Sequence, residues 1–253
     1  MISIKKEKEI KILKEGGKRL AFILNELIKN TKEGITTLEL EKIAIDLIKK
    51  QNGESAFLNY KPDGSRLAYP ANICVSINEE IVHGVPSKDK IIKNGDVVSI
   101  DLGFKYKNLI TDSAYTVGIG NVDARTKKLI NTTKNALYDG IKRIKDGAHI
   151  GDIGFAVEKA AKNNGFSVFR ELVGHGVGRE LHEEPFIPNF GDKGSGEEIK
   201  KGMVLAIELM LGEGGGEIIQ GRDGFVYKSR DGKRSAHFEH TVVVTKNGAE
   251  ILT

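Results

Sequence analysis

Four acidic residues stand in strand-like runs where an apolar side chain is expected. VVSIDLGF carries Asp101 among Val97, Val98 and Ile100, and MVLAIELM carries Glu208 in the same place. Glu239 lies within SAHFEHTVVVT, and Asp112 follows Asp101 beyond a turn expected at Tyr106-Lys107. An ionised carboxylate in so apolar a run is costly unless it is paired or metal-bound. A hairpin centred on that turn puts Asp112 directly across from Asp101. Two like charges about 4 Å apart at an effective dielectric of roughly 20 repel by about 4 kcal/mol. No Lys or Arg lies inside these blocks to neutralise them. Two divalent cations would balance the four acids, with His175 of the glycine-rich GHGVG as the nitrogen ligand. Oxygen-rich ligands with one imidazole admit Mn, Fe, Co or Zn.

A single acid in a strand more often faces water at a sheet edge. Four at symmetric positions do not fit that reading. His83 and His182 alone would pass for structural or surface histidines. His83 gains interest because His83-Gly84-Val85 matches His175-Gly176-Val177, and His182 because it follows His175 within a glycine-rich segment. His237 and His240 flank Glu239 and are expected to turn away from its face, in structural roles. His149 belongs to a helix-entry loop. Several other chemistries are excluded. His182-Glu183-Glu184-Pro185-Phe186 is not HExxH, one cysteine cannot build a zinc finger, and neither GHGVG nor EGGGE carries a phosphate-loop lysine. There is no G-x-S-x-G elbow for serine catalysis.

The elements that must position these residues occur twice. Ile10, Leu13, Leu20, Leu24 and Leu27 give an amphipathic helix over 10–28. Thr36 and Glu39 form a capping box for a second helix, with Leu40, Ile43, Leu47 and Ile48 on one face, ended by Asn52-Gly53. Short β-rich runs follow from Ile73 to Val117. Then Asp123 caps a helix with Leu129, Ile130, Leu137 and Ile144, and a shorter one carries Ile153, Val157 and Ala160 before Asn163-Asn164-Gly165. Strands run on from there. KNGDVVSIDL (Lys93 to Leu102) matches KKGMVLAIEL (Lys200 to Leu209) at an offset of 107. Such a duplicated α+β unit, helix-helix-strands twice over, would make one curved, mainly antiparallel sheet with helices on its convex face. The concave face is left for a site shared by both copies. No Pro/Gly/Ser-rich linker divides residues 1–253, so one domain is expected, with halves at about 5–117 and 123–245.

Of the 253 residues, 39% are hydrophobic and 29% charged, which excludes disorder. No apolar run approaches the roughly 20 residues that span a bilayer. The first residues, MISIKKEKEIKILKEGG, do not read as a signal peptide. Cys74 is the one cysteine, which fits a reducing cytoplasm. A net charge of +4 is no nucleic-acid signature. The cluster Lys5, Lys6, Lys8, Lys11, Lys14 and Lys18 reads as a solvated helix face, or as a weak attraction to a polyanion such as ribosomal RNA.

The ordered set EEIVHGVP, SIDLG, ITDSAYT, VGHGVGRELHEEP, AIEL and HFEHTVVVT resembles the type I methionine aminopeptidases over nearly the whole chain. That resemblance implies the pita-bread fold and a cytoplasmic, monomeric metalloaminopeptidase. Such an enzyme removes the N-terminal methionine from nascent polypeptides with a metal-bridged water, prefers a small second residue, and works near the ribosome surface without DNA or membrane. It implies two divalent metal ions. Asp112 and Glu239 would bridge them, Asp101 would complete one site, and His175 and Glu208 the other. His83 and His182 fall on the family's non-ligand histidines, Glu208 on its general base. Tyr69, Cys74, Leu181 and Phe225 would line the methionine pocket. Leu209 stands where Pro is common, Leu181 where Phe is, and Phe225 where Trp is. The alternatives are an X-Pro aminopeptidase of the same fold and a metal-free binding module. X-Pro relatives usually carry a large extra N-terminal domain.

Overall fold

Helices form where apolar residues recur at helical spacing, and each begins on a cap. The computed structural model describes residues 2–62 and 67–253. It has α1 at Glu7–Asn30, α2 at Thr37–Lys50, α3 at Ala124–Ile141 and α4 at Ile150–Asn164. Helix α1 starts earlier than the apolar pattern suggests, because the Glu9 carboxylate accepts the Lys6 backbone N–H at 2.7 Å. At α2, Thr36 Oγ1 accepts the Glu39 N–H at 3.2 Å and the Glu39 carboxylate accepts the Thr36 N–H at 2.8 Å. Asp123 caps α3 by accepting the Thr126 N–H at 2.8 Å. Gly165, at φ 77°, ends α4 in the left-handed conformation that glycine takes without strain. Lys6, Lys8, Lys11 and Lys18 are exposed, as a solvated face requires. Lys5 departs from that expectation: it precedes the helix, is buried, and its ammonium pairs with Glu183.

Thirteen strands complete the described chain: β1 Glu54–Ser55, β2 Cys74–Ile77, β3 Glu80–Val82, β4 Val97–Tyr106, β5 Leu109–Gly118, β6 Ser167–Val168, β7 Val173–Gly176, β8 Glu183–Pro188, β9 Val204–Gly212, β10 Ile218–Gln220, β11 Tyr227–Ser229, β12 Ser235–Val244 and β13 Ala249–Ile251. Every pairing among them is antiparallel. One ladder joins β1, β4 and β2, with β5 on β4, and a second runs β13-β12-β9-β7-β8, with β6 on β9. A small third sheet, β10-β11-β3, stands apart. The duplicated blocks fall on equivalent strands: β9 begins at Val204 and β4 at Val97, 107 residues apart.

The curved sheet is thus built as two ladders, and the seam between β5 and β12 is closed by hydroxyl groups. Thr241 Oγ1 accepts the Asp112 N–H and donates to the Asp112 carbonyl, both at 2.8 Å. Thr116 Oγ1 does the same for His237, at 2.9 and 2.6 Å, and Ser113 Oγ donates to the Glu239 carbonyl at 2.9 Å. These threonines stand in for the missing backbone ladder and fix the height of the acid-bearing strands against each other. Thr241→Val keeps the shape and leaves two buried backbone groups without partners. It should cost about 2 kcal/mol, since a buried unsatisfied group costs roughly 1–3 kcal/mol; urea unfolding of the variant checks this.

Strand alternation separates core from cleft. On β4, Val98, Ile100, Leu102 and Phe104 join a core with Leu20, Leu24 and Leu27 of α1 and Leu40 and Ala44 of α2. On β9 and β12, Leu205, Ile207, Leu209, Leu211, Phe238 and Val242 join Leu129, Leu137, Ile153 and Val157 of α3 and α4. The helices therefore cover one face of both ladders. Asp101, Glu208 and Glu239 sit at the intervening positions and point away from them.

Candidate metal centre

Asp101 and Asp112 come from the hairpin β4–β5. Its turn is Lys107-Asn108, both at positive φ (48° and 63°), as a two-residue hairpin turn of the primed type requires. That moves the register expected from the sequence. Asp101 pairs with Ala114, and Asp112 with Gly103. The two acids are diagonal neighbours on one face, and Gly103 has no side chain between them. In the second half Glu208 and Glu239 are directly opposed on β9 and β12. His175 on β7 pairs with Ala206 of β9 and so reaches the same floor.

All five converge on one cavity of about 560 Å³, together with His83, His182, Tyr69, Cys74, Leu181 and Phe225. Asp112, His175 and Glu239 each offer a ligand atom within 4.8 Å of the others. Asp101, Asp112, His175 and Glu239 are buried, and Glu208 nearly so. Burial, and after it the neighbouring acid Asp112, pushes Asp101 and Glu239 well above the usual carboxylate range. Asp112 is raised too, again chiefly by burial. Glu208 goes the other way. Burial would raise it, but His175 Nε2 at 3.3 Å and His237 Nε2 at 3.5 Å hold it ionised and low. Burial would likewise lower His175, and contact with Glu208 overrides this and raises it. Among the described residues, Asp101 Oδ1 and Glu239 Oε1 are buried without a hydrogen-bond partner. Acids that crowd together, lack a nearby Lys or Arg, and leave buried oxygens unused are the donor set a divalent cation satisfies. His175 Nδ1 lies 2.9 Å from the Gly176 carbonyl, the contact that orients a metal-binding imidazole.

The comparisons with known proteins agree. Residues 11–246 match metallopeptidase family M24. The methionine aminopeptidase of Aquifex aeolicus is 43% identical over 256 residues, covering 100% of this chain and 98% of its own length. The crystal structure of the methionine aminopeptidase of Thermotoga maritima superposes with a TM-score of 0.96 at 44% identity, covering 100% of this chain and 99% of that one. The chain belongs to metallopeptidase family M24. An X-Pro aminopeptidase of Thermotoga maritima shares the fold at a TM-score of 0.75 and 23% identity, but the match covers only 61% of that chain. Membership of a metallopeptidase family and the buried Asp/His/Glu cluster together fit divalent-metal binding.

The rest of the M24 site is apolar and aromatic. Tyr69 packs edge-on to Phe57 and Phe225, with ring centroids 6.3 and 5.6 Å away. Its hydroxyl donates within reach of the Ile73 and Gly84 carbonyls, 3.1 Å from each. The buried Cys74 thiol is pushed up by burial and stays protonated, a small wall residue rather than a nucleophile. His182 packs edge-on to His175 at 4.5 Å, and burial holds its pKa down at about 3. His83 is also lowered by burial and has a left-handed backbone, φ 60°.

Besides the hairpin register, two further expectations are corrected. His83 is not the counterpart of His175: that position belongs to Ser76, which faces Ser99 as His175 faces Ala206, 107 residues on. His237 does not turn away from Glu239, because residues two apart on a strand share a face; it points into the cleft toward Glu208. His240 does lie on the other face, where it meets Tyr138 of α3. Tyr60, whose hydroxyl is 2.8 Å from His182 Nδ1, has no sequence signal, since it lies in a loop without periodicity.

Proposed function

We propose that this chain is a methionine aminopeptidase, working as one catalytic domain with Asp101, Asp112, His175, Glu208 and Glu239 as the ligands of two divalent ions. The observation that carries the reading is the convergence of all five, with His83 and His182, on a single apolar-walled cavity. Mn, Fe, Co or Zn bound there supplies Lewis acidity and lowers the pKa of water. The chain's own groups do the rest. Glu208, held ionised by two histidines, accepts the proton of the attacking water as general base. His182 is neutral at physiological pH. In the tautomer that leaves Nδ1 to accept from the Tyr60 hydroxyl 2.8 Å away, the proton on Nε2 donates to the scissile carbonyl as negative charge develops. His83 contacts the peptide nitrogen and assists the leaving amine. Tyr69, Cys74, Leu181 and Phe225 take the unbranched methionine side chain, and a small second residue fits beside it.

Nascent chain N-termini in the cytoplasm are the substrate this implies, handled by a monomer that can work beside the ribosome. Among the described residues no helix is long and apolar enough to cross a membrane. Purified protein supplied with Mn(II) should release methionine from Met-Ala-Ser and cleave Ala-Pro peptides at least about 100-fold more slowly, a gap of roughly 3 kcal/mol in transition-state binding. The reverse preference would assign the chain to X-Pro peptides.

A further inference from the structure

Residues 177–182 join β7 to β8 and carry both Leu181 and His182 into the cavity, yet they form no strand. Their backbone is held from outside. The Glu183 carboxylate accepts the Arg179 and Glu180 N–H groups at 2.6 and 3.1 Å through one oxygen. Its other oxygen receives the Lys5 ammonium. The side chain of Lys5 is sealed from water (1% exposed) because it lies along Gly178, where a Cβ would come within 2.5 Å of Lys5 Cε. Lys5 is anchored in turn: its N–H donates to the Gly202 carbonyl at 2.8 Å. The outer side of the same loop is tied to α1, where Arg179 donates to both carboxylate oxygens of Glu9 at 2.7 and 3.0 Å. A buried ion pair seldom adds net stability over an apolar pair, which leaves geometry as what this one supplies.

We propose that Lys5 is a positioning residue for His182. Its ammonium fixes the Glu183 carboxylate, the carboxylate fixes the loop backbone, and the backbone sets where His182 meets the substrate. The segment ahead of α1 is thereby part of the active site's support, although it never enters the cavity. This rests on the reading that His182 contacts the scissile carbonyl.

Lys5→Met removes the charge and keeps the stem. Amides of 178–182 should then exchange with deuterium at least about tenfold faster, while those of α3 and α4 stay within about twofold. Manganese-loaded Lys5→Met should lose roughly tenfold in kcat on Met-Ala-Ser with KM nearly unchanged, because the interaction lost is one made in the transition state. In a His182→Ala background the Lys5→Met substitution should change kcat by less than about twofold, the signature of two residues acting through one another. Unchanged exchange in 178–182, or an equal loss of kcat with and without His182, overturns the proposal. If Lys5→Met does not fold, Glu183→Gln gives the same readouts. Full activity of His182→Ala contradicts the functional reading instead, and the exchange measurement then decides the loop's support alone.

Discussion

Glu239→Gln lowers kcat/KM for Met-Ala-Ser by at least about 1000-fold, or roughly 4 kcal/mol, and in chelator it makes the protein more stable than the parent. Both effects have one cause. Glu239 is buried at the seam, directly opposite Glu208, with one oxygen unpartnered. Without a cation it is held protonated by burial and by Asp112, and its folded pKa stands well above the usual value. Each unit of such a shift costs about 1.4 kcal/mol at a pH where the unfolded chain is ionised. The isosteric amide removes that cost, and also the ligand that reaches His175 and Asp112. With Mn(II) present the order of stabilities should invert, because only the parent binds the ions fully. Thermal unfolding with and without metal, beside the activity assay, measures both. A variant that keeps a tenth of the activity, or is less stable than the parent in chelator, contradicts the assignment of Glu239.

How far the site was legible in the sequence follows from which physical rule governs each residue. The four acid positions stand out because a charged group interrupts strand-like runs in both halves, and burial makes such an interruption expensive; His175 was read instead from the glycine-rich GHGVG as the one nitrogen ligand. The helices were legible from periodicity and from Thr36, Asp123 and Gly165, whose capping roles are local. Register was not. The hairpin turn falls on Lys107-Asn108 rather than one residue earlier, and that single step decides that Asp112 faces Gly103 and not Asp101. The seam was not legible either, since Thr116 and Thr241 read as ordinary strand residues until two strands far apart in the chain lie side by side. His237 was available from simple alternation, being two residues from Glu239. Lys5 was hidden by its neighbours: a run of lysines reads as solvent-facing, and only the fold buries one of them against Gly178.

The central claim is that buried acids tolerate one another because divalent cations neutralise them, and the dependence of stability on pH with and without metal tests it most directly. Between about pH 6.5 and 8.5 the unfolded acids are ionised and the unfolded histidines are becoming neutral. Burial lowers His83, His182 and His240, so their influence lies mainly below this window. Asp101 and Glu239, raised well above the usual carboxylate range by burial, favour keeping protons that the unfolded chain has lost. Asp112, raised to about 7 by burial, does so only in the lower part of the window, and His175, raised by Glu208 against the effect of burial, acts in the same direction. The folded state then binds more protons than the unfolded one. Stability in chelator should fall as pH rises, by about 1.4 kcal/mol per unit for each proton retained. Saturation with Mn(II) should flatten or reverse that fall, because the ligands bind metal in their deprotonated forms. Parallel curves with and without metal would mean that the acids do not depend on a cation, and the account would fail at its root.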